Sequence, residues 1–567
     1  MKRRDFIKKT VFASAFFAMP KFNINLKAYN KLDGTNPLRF PPVLQTGDSL
    51  TLDYSEVEIW PGTTSNVLTL NGSYPGPTVL LKKGEIFSVE FVNKLTEEST
   101  IHWHGLLVPE LMDGQPKDAI APGESYTYTF PVIQNGGTFF YHSHAHHLTA
   151  KQVYLGHAGF IIIEDDIDLG LPTGEFDIPL LIQDRHSTYQ PNITYSPTNM
   201  DIMHGYLGDI PLINGTPNAY LDVHKTLYRF RIVNGSNARV YKLAFSDNSS
   251  FYILATDGGL KSEVQQVSSV FLSPGERIEI LFDFSNYSIG DSLYFESQAF
   301  NSIGNQGLQM NLLKFNITGN KSSESVIPQN LPPLEYYDFN QRKRTRSFTL
   351  TQGMMHQTGI HRINGLSYEL NRIDEIIPFG ELEEWRIINN TMNYHPMHIH
   401  GVLFQVYARN GNTNLEPKDK GWKDTVLLNP NETVQLLVRF NDYSGIYLFH
   451  CHNLEHEDNG MMLNIKIDEP TSVQENGGIQ TGFELYQNYP NPFNPTTKIK
   501  FFIPEDGDTS LKISNSLGEE ISVLVNGFLQ KGFHEYTFDA RKYSSGTYYY
   551  KLNSGNNIKI KKMLLLK

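Results

Sequence analysis

The sequence predicts an all-β protein, in which β-sandwich or barrel domains are followed by a smaller β-sandwich module. Glycine (44), tyrosine (30), phenylalanine (35) and proline (30) are plentiful, and only 19% of residues are charged. Such a composition favours short strands and turns over long helices. Short runs alternate apolar and polar residues, as in Phe87, Val89 and Phe91 around Ser88 and Glu90. A period of two with aromatic and β-branched residues is typical of half-buried strands.

A repeated sequence pattern divides most of the chain into three domains. Asn71-Gly72, Asn214-Gly215 and Asn364-Gly365 each precede a strand-like run that ends in asparagine, and they lie 143 and 150 residues apart. A chain of 567 residues is too long for one ordinary domain. We therefore predict β domains at 42–167, 175–320 and 345–467.

The two ends of the chain differ from this repeated body. Residues 1–28 contain Arg3-Arg4-Asp5-Phe6-Ile7-Lys8 followed by a short apolar run, a pattern similar to a twin-arginine export signal. The alternative is an ordinary secretory signal. Residues 468–482 are polar, contain Gly477-Gly478 and are interpreted as a linker. Residues 483–567 hold eleven basic and eight acidic residues and form a separate module on an otherwise acidic chain.

Charge and cysteine content exclude several classes of protein. The net charge of −12 argues against nucleic acid as the main partner, because phosphate binding needs a basic face. No apolar run reaches the length of a membrane span, so no transmembrane segment is expected in the mature protein. With Cys451 as the single cysteine, no intrachain disulfide is possible.

Four His-x-His pairs are the strongest chemical signal. They occur in the first and third repeats but not in the second: His102/His104, His142/His144, His398/His400 and His450/His452. Residues i and i+2 of a strand point to the same face, so each pair can offer two imidazoles to one place. Eight facing imidazoles suit a cluster of several metal ions, and imidazole binds copper, zinc, iron or nickel.

Cys451 favours copper among these metals. It lies between His450 and His452, so its side chain should point away from theirs, and His456 and Met461 follow within ten residues. A thiolate, two histidines and a weak axial methionine form the blue-copper electron-transfer site. The backbone between residues 450 and 452 would join that site to the cluster.

At these residues the chain resembles the multicopper oxidases. The similarity runs from about residue 42 to 467, and it is closest to bacterial laccases of the copper efflux oxidase type. The motifs that carry it are His102-Trp103-His104-Gly105, His142-Ser143-His144, His395-Pro396-Met397-His398-Ile399-His400-Gly401 and His450-Cys451-His452 through His456 to Met461.

The resemblance implies three cupredoxin-like domains and four copper ions. His395, Cys451, His456 and Met461 would bind the type 1 ion, and His102 and His398 the type 2 ion. The binuclear type 3 pair would be held by His104, His142, His144, His400, His450 and His452.

The resemblance also implies two acidic residues near the cluster. Asp113 and Glu457 match acids that deliver protons to oxygen, a task suited to positioned carboxylates. The alternative is that both are surface acids. Asp424 is a candidate for orienting a ligating histidine.

The implied function is oxidation of a phenolic, aromatic-amine or metal-ion donor, coupled to reduction of dioxygen to water. The alternatives are a cuprous oxidase for copper tolerance and a non-catalytic copper-binding or electron-transfer protein of the cell envelope. The sequence lacks a methionine-rich tract, and Thr391 and Asn393 stand where the cuprous oxidases have Asp and Met. Met354, Met355, His356 and Met392 remain as soft candidate ligands.

The C-terminal module resembles the sorting domain of the type IX secretion system. The resemblance rests on Tyr489-Pro490-Asn491-Pro492-Phe493-Asn494-Pro495-Thr496-Thr497, on Ser545-Gly546-Thr547-Tyr548 and on the terminal Lys562-Met563-Leu564-Leu565-Leu566-Lys567. It implies export and sorting machinery as partners, and a location in the periplasm, on the outer cell surface or outside the cell. A carbohydrate- or wall-binding module is the alternative.

Overall fold

The computed structural model describes residues 33–45, 47–353, 359–468, 483–488, 490–555 and 557–566. The expected export signal at 1–28, most of the expected linker and the candidate ligands Met354, Met355 and His356 lie outside these residues. The expected all-β fold with a C-terminal β module is confirmed, since 49% of residues are in strands and 7% in helices. No helix in the described part of the chain is long and apolar enough to cross a membrane.

The first sandwich has sheets ordered β3-β2-β5-β7 and β4-β9-β8-β6. Its core lies between them and contains Leu50, Phe91 and Trp103. The strands and the helix are β2 (Leu50–Trp60), β3 (Thr63–Leu70), β4 (Gly76–Leu81), β5 (Ile86–Asn93), β6 (His102–His104), β7 (Ser125–Pro131), β8 (Gly137–His142), α1 (Thr149–Leu155) and β9 (Ala158–Ile163). The preceding strand β1 (Asn36–Pro37) pairs with the second sandwich instead.

The second sandwich has sheets ordered β1-β13-β21-β20-β15-β18 and β12-β11-β10-β14-β19-β16-β17. Phenylalanines such as Phe245, Phe282 and Phe315 fill its core. Its elements are β10 (Asp177–Arg185), α2 (Asn199–His204), β11 (Ile210–Ile213), β12 (Thr216–Pro217), β13 (Ala219–His224), β14 (Leu227–Asn234), β15 (Tyr241–Phe245), β16 (Phe251–Thr256), β17 (Gly259–Val267), β18 (Ser269–Leu272), β19 (Arg277–Asp283), β20 (Ser292–Ser297) and β21 (Met310–Gly319).

The third sandwich has sheets ordered β23-β22-β25-β29-β27 and β24-β31-β30-β26-β28. Its core includes Trp385, Phe449 and Cys451. Its elements are β22 (Arg344–Gln352), β23 (His361–Ile363), β24 (Glu375–Ile377), β25 (Glu383–Asn389), β26 (His395–Ile399), β27 (Gln405–Arg409), β28 (Thr425–Leu428), β29 (Thr433–Val438), β30 (Gly445–Cys451), α3 (Leu454–Asp458) and β31 (Met462–Ile467).

The repeated Asn-Gly signal has the same structure in each sandwich. Asn71, Asn214 and Asn364 adopt φ of 54°, 49° and 52°, and each following glycine is also left-handed. Asparagine and glycine tolerate this region, which explains their use at a tight turn. Each asparagine Oδ1 accepts a hydrogen bond of 2.8 Å from the backbone N–H of an adjacent strand. The three repeats therefore share a local hydrogen-bonding pattern as well as a sequence pattern.

The C-terminal module is a small sandwich with sheets ordered β32-β33-β36 and β35-β34-β37-β38. Ile499, Phe501 and Tyr550 lie in its separate core. Its strands are β32 (Glu484–Leu485), β33 (Thr496–Ile503), β34 (Gly507–Asn515), β35 (Glu520–Leu529), β36 (Gly532–Asp539), β37 (Gly546–Ser554) and β38 (Asn557–Leu565). Short 3-10 helices occur at Glu110–Met112, Pro116–Asp118, Gly174–Phe176, Ser187–Tyr189, Phe339–Gln341 and Pro417–Asp419.

Candidate metal centres

Eight histidines meet in the interior between the first and third sandwiches. They come from β6, the end of β8, β26 and β30, and strand register places His102 opposite His142 and His398 opposite His450. All eight side chains are buried. The four His-x-His pairs expected to meet at this interface are thus brought together.

One group within the cluster consists of His144, His400 and His450. The Nε2 atom of His450 lies 3.2 Å from Nε2 of His144 and 3.0 Å from Nε2 of His400. The Nδ1–H of His400 donates to the Asp113 carboxylate at 2.9 Å, and Nδ1 of His450 faces the Cys451 carbonyl at 3.1 Å. These bonds assign the protons to Nδ1. The Nε2 lone pairs then face one another, and a cation between them would remove their repulsion.

A second group consists of His104, His142 and His452. Nε2–H of His104 donates to Asp424 at 3.1 Å, which leaves the Nδ1 lone pair 3.2 Å from Nε2 of His142. Nδ1–H of His142 donates to the Ser143 carbonyl at 2.8 Å, and its Nε2 lies 3.3 Å from Nε2 of His452. Again, unprotonated nitrogens face each other inside the protein.

His102 and His398 form the remaining pair. Their Nδ1 atoms each lie 2.9 Å from a backbone carbonyl, that of Asp113 and that of Asp424. Their buried Nε2 atoms have no hydrogen-bond partner among the described residues. Buried polar atoms are rarely left unpaired, so these two nitrogens also fit metal ligation.

Burial keeps six of these imidazoles in the neutral form that binds metals. It lowers the pKa of His398 to about 4. It also holds the pKa well below its ordinary value at His104, His142, His144, His400 and His452. The site is therefore ready to accept cations at neutral pH.

Three buried carboxylates each contact one histidine from the first sandwich and one from the third. Asp113 lies 3.3 Å from Nδ1 of His102 and 2.9 Å from Nδ1 of His400. Glu457 lies 3.4 Å from Nδ1 of His144 and 3.1 Å from Nδ1 of His450. Neither acid is on the surface.

Asp424 is the third of these carboxylates. Its Oδ1 lies 3.1 Å from Nε2 of His104 and 3.4 Å from Nδ1 of His398. Although burial alone would raise the pKa of Asp424, the Arg277 guanidinium holds it well below its usual range. Asp424 is thus a permanent anion beside two histidines.

A separate centre contains Cys451, His395 and His456. The thiol Sγ lies 3.4 Å from Nδ1 of His395 and 3.7 Å from Nδ1 of His456, and the two nitrogens are 3.2 Å apart. Nε2 of His395 bonds to the Thr391 hydroxyl at 2.8 Å, and Nε2 of His456 lies 3.2 Å from the Met203 carbonyl. Both Nδ1 lone pairs are therefore directed at the sulfur.

Met461 is positioned on the same centre by the backbone. Its carbonyl accepts from Cys451 N–H at 3.0 Å, and its own N–H donates to the His456 carbonyl at 3.0 Å. The side chain is fully buried in the core that includes Cys451. Burial also raises the pKa of the Cys451 thiol. A bound cation would provide the charge that stabilises the thiolate.

The two centres meet at the end of β30. His450 and His452 point into the eight-histidine cluster, while Cys451 between them faces His395 and His456. This opposite orientation follows from the alternation of side chains along a strand.

Four contacts at these centres are not predictable from the sequence. They come from Thr391, from the Met203 carbonyl at the end of α2, from Arg277, and from His361, whose ring stacks on His456 at 3.9 Å. Arg277 and Met203 belong to the second sandwich, where no local motif marks them. His361 stands outside the His-x-His pairs, so the sequence assigns it no role.

Comparison with protein families agrees with this geometry. Two family models, each described as multicopper oxidase, match residues 51–168 and 339–471. The model described as a secretion system C-terminal sorting domain matches residues 487–566. The tail is therefore a sorting domain, which indicates export to the cell surface or beyond.

The alignments with individual relatives cover nearly the full length of each relative. The multicopper oxidase mco of Staphylococcus haemolyticus is 34% identical over 456 residues, which cover 78% of this chain and 94% of that protein. The laccase of Bacillus subtilis is 31% identical over 462 residues, which cover 70% of this chain and 90% of that protein. The crystal structure of McoA multicopper oxidase from Aquifex aeolicus superposes with a TM-score of 0.71 at 36% identity, covering 77% and 100%. The expected cupredoxin-like architecture is thereby confirmed, and the chain belongs to the multicopper oxidases, the copper-dependent oxidoreductases that use dioxygen.

Proposed function

We propose that this enzyme accepts single electrons at the centre of His395, Cys451, His456 and Met461 and transfers them through His450 and His452 to the histidine cluster. Copper, when bound, supplies one-electron transfer at the first centre and four-electron reduction of dioxygen to two waters at the second. The observation that carries the proposal is the sequence His450-Cys451-His452, whose neighbouring side chains face the two centres.

The ligand set supports four copper ions. Cys451 and its partners would hold the type 1 ion, and His102 and His398 the type 2 ion. The groups His104/His142/His452 and His144/His400/His450 would each hold one ion of the type 3 pair. Support comes from the tautomers, since backbone carbonyls and carboxylates accept the imidazole N–H groups and leave the lone pairs facing inward.

Asp113 and Glu457 are proposed to hold and move the protons that oxygen reduction consumes. Both touch imidazoles from two sandwiches, and no lysine or arginine lies within ion-pair distance of either in the described part of the chain. Neither oxygen of Glu457 accepts a hydrogen bond from the described residues. A buried carboxylate with free acceptor positions can take up and release a proton.

The donor is proposed to be a phenol or aromatic amine, or a metal ion. Helix α2 covers His456, because the Met203 carbonyl lies 3.2 Å from its Nε2 and also accepts from Gln352 and Asn393. Electrons must therefore enter through this cover. Among the similar structures is one titled a multicopper oxidase from Campylobacter jejuni, a metallo-oxidase, at 28% identity and a TM-score of 0.69.

A specific observation keeps cuprous ion as a second candidate donor. Met200 on α2 and Met392, close in sequence to His395, are 51% and 59% exposed. Thioether sulfur is a soft ligand that suits cuprous copper. Replacing both by leucine should slow oxygen uptake with cuprous ion and leave oxidation of a phenol unchanged.

Location is proposed from the two ends of the chain. A twin-arginine signal at 1–28 would export the folded enzyme, and the sorting domain would direct it from the periplasm to the outer surface or the medium.

The test is metal analysis of copper-loaded protein together with oxygen uptake on 2,6-dimethoxyphenol and on cuprous ion. The expected result is four copper ions per chain, a blue absorption band, and one dioxygen consumed per four electrons donated. Copper-loaded, folded protein that binds a blue ion but consumes no dioxygen with either donor would instead indicate an electron-transfer protein.

A further inference from the structure

The second sandwich supplies no proposed copper ligand, yet one of its turns reaches the histidine cluster. Residues 273–276 connect β18 to β19, and Gly275 has φ of +81°. A Cβ on Gly275 would lie 2.8 Å from Cδ2 of His452 and 3.1 Å from Cε1 of His104. The glycine backbone therefore packs directly against two rings of the His104/His142/His452 group.

The turn is held rigidly. The Glu276 carboxylate accepts from both the N–H and the hydroxyl of Ser273, each at 2.8 Å. Gly275 N–H donates to the Asn234 carbonyl at 3.0 Å. From the third sandwich, the Lys423 ammonium lies 3.2 Å from Glu276 and 2.9 Å from Asp257. These contacts fix the residue that follows the turn, Arg277.

Arg277 uses all five of its N–H donors and is fully buried. Its Nε donates to the Thr138 carbonyl of the first sandwich, and its two terminal nitrogens donate to the carbonyls of Gly275 and Asp257. The same two nitrogens bind both oxygens of Asp424 in the third sandwich, one of them at 2.7 Å. One guanidinium thus connects all three sandwiches, a task that its planar fork permits and an ammonium does not.

We propose that Arg277 is a positioning residue for one half of the type 3 site. It fixes the Asp424 carboxylate, which accepts Nε2–H of His104 at 3.1 Å and so leaves the Nδ1 lone pair directed at His142. The inference rests on the proposed function, because it assigns a ligand group to that site. It also gives Asp424 a different role from Asp113 and Glu457, which have no arginine partner among the described residues.

The effect should be local. Among the described residues, no hydrogen bond of Arg277 reaches His144, His400, His450 or Cys451, and the atoms nearest to a Cβ on Gly275 belong to His452 and His104. Without Arg277, Asp424 can rotate, His104 can exchange tautomers, and the lone pair needed in the His104/His142/His452 group is no longer assured. His398, whose Nδ1 also lies 3.4 Å from the Asp424 carboxylate, keeps its own bond of 2.9 Å to the Asp424 backbone carbonyl. The group of His144, His400 and His450 keeps its own hydrogen bonds.

The test compares Arg277→Gln and Arg277→Lys with the control Arg229→Gln. Arg229 is also buried in the second sandwich and pairs with Asp165 and Glu279, and it makes no hydrogen bond or ion pair to a cluster residue in the described part of the chain. Each purified variant is loaded with copper and examined by metal analysis, visible absorption and electron paramagnetic resonance. A coupled cupric pair gives no resonance signal, so loss of the pair is visible as additional signal per chain.

Both Arg277 variants should keep the blue band and either lose one copper ion or show additional resonance signal from an uncoupled ion. Arg229→Gln should lower thermal stability and leave the copper number and the signal unchanged. If folding of the Arg277 variants fails, Gly275→Ala should produce the same change, because its methyl group meets His452 and His104. The inference would be overturned if every folded variant showed wild-type spectra, or if Arg277→Lys had the wild-type copper number and resonance signal. An equal change in Arg229→Gln would also overturn it. Wild-type protein that binds fewer than four copper ions would instead refute the proposed function.

Discussion

The copper-free protein should lose stability steeply as the pH falls from 7 to 5. Burial lowers the pKa of His395 to about 3 and that of both His361 and His398 to about 4, and all three lie in the third sandwich. In the unfolded chain a histidine has a pKa of about 6.5. The unfolded state therefore binds more protons below that value, so stability is fully present above pH 6.5 and is lost as the pH falls towards the folded-state values.

The size of the effect follows from these pKa values. Between pH 8 and pH 5, each of the three histidines should destabilise the folded state by about 2 kcal/mol, or about 6 kcal/mol together. Because 1 kcal/mol shifts the melting temperature of a domain of this size by about 3 °C, the expected shift is about 15–20 °C. Bound copper competes with protons for the ligand nitrogens, so the loaded protein should show a much smaller shift over this range.

Differential scanning calorimetry of copper-free and copper-loaded protein at several pH values measures the shift in melting temperature. The variant His361→Gln should remove about 2 kcal/mol of the pH dependence, since that ring is buried against His456 and is not a proposed ligand. Equal melting temperatures at pH 8 and pH 5 for the copper-free protein would refute the view that these histidines are held neutral by burial.

Three further predictions concern the copper centres and the tail. Glu457→Gln should slow reoxidation of the fully reduced enzyme by dioxygen by about 10²–10⁴-fold in stopped-flow experiments, because the amide cannot release a proton. Anaerobic reduction of the blue centre by the donor should be unaffected. Reoxidation at the wild-type rate would show that Glu457 does not supply protons. Met461→Leu should keep the blue colour and raise the reduction potential measured by redox titration, since loss of a weak axial donor disfavours the cupric state; a bleached or lower-potential centre would argue against axial Met461. Deletion of residues 483–567 should preserve copper content and oxidase activity but prevent delivery beyond the periplasm, and inactive, copper-loaded truncated protein would show that the module belongs to the enzyme.

Much of the architecture can be predicted because short sequence motifs determine the local backbone conformation and the direction of the side chains. Asn-Gly turns need left-handed backbone conformations, so Asn71, Asn214 and Asn364 mark the three repeats in the sequence itself. Strand alternation likewise predicts that Cys451 and its flanking histidines face opposite ways. Both features depend on residues close together in sequence.

Contacts between distant segments cannot be predicted in this way. Arg277 lies 147 residues from Asp424, and the Met203 carbonyl lies 253 residues from His456. A backbone carbonyl carries no residue-specific signal, and a buried arginine looks like any other arginine in a sequence. Only the packing of the second sandwich against the other two shows that a domain without ligands shapes both centres.

Anaerobic reductive titration of the copper-loaded enzyme tests the central claim, that Cys451 and the eight histidines form two joined redox centres. The wild-type protein should accept four electrons per chain, with the blue band bleached during the titration. Cys451→Ser should stay folded, show no blue band, accept one electron fewer and oxidise no donor, because the thiolate provides the electron path to His450 and His452. A Cys451→Ser protein that remains blue and active, or a fully loaded wild-type protein that accepts one electron in total, would contradict the account.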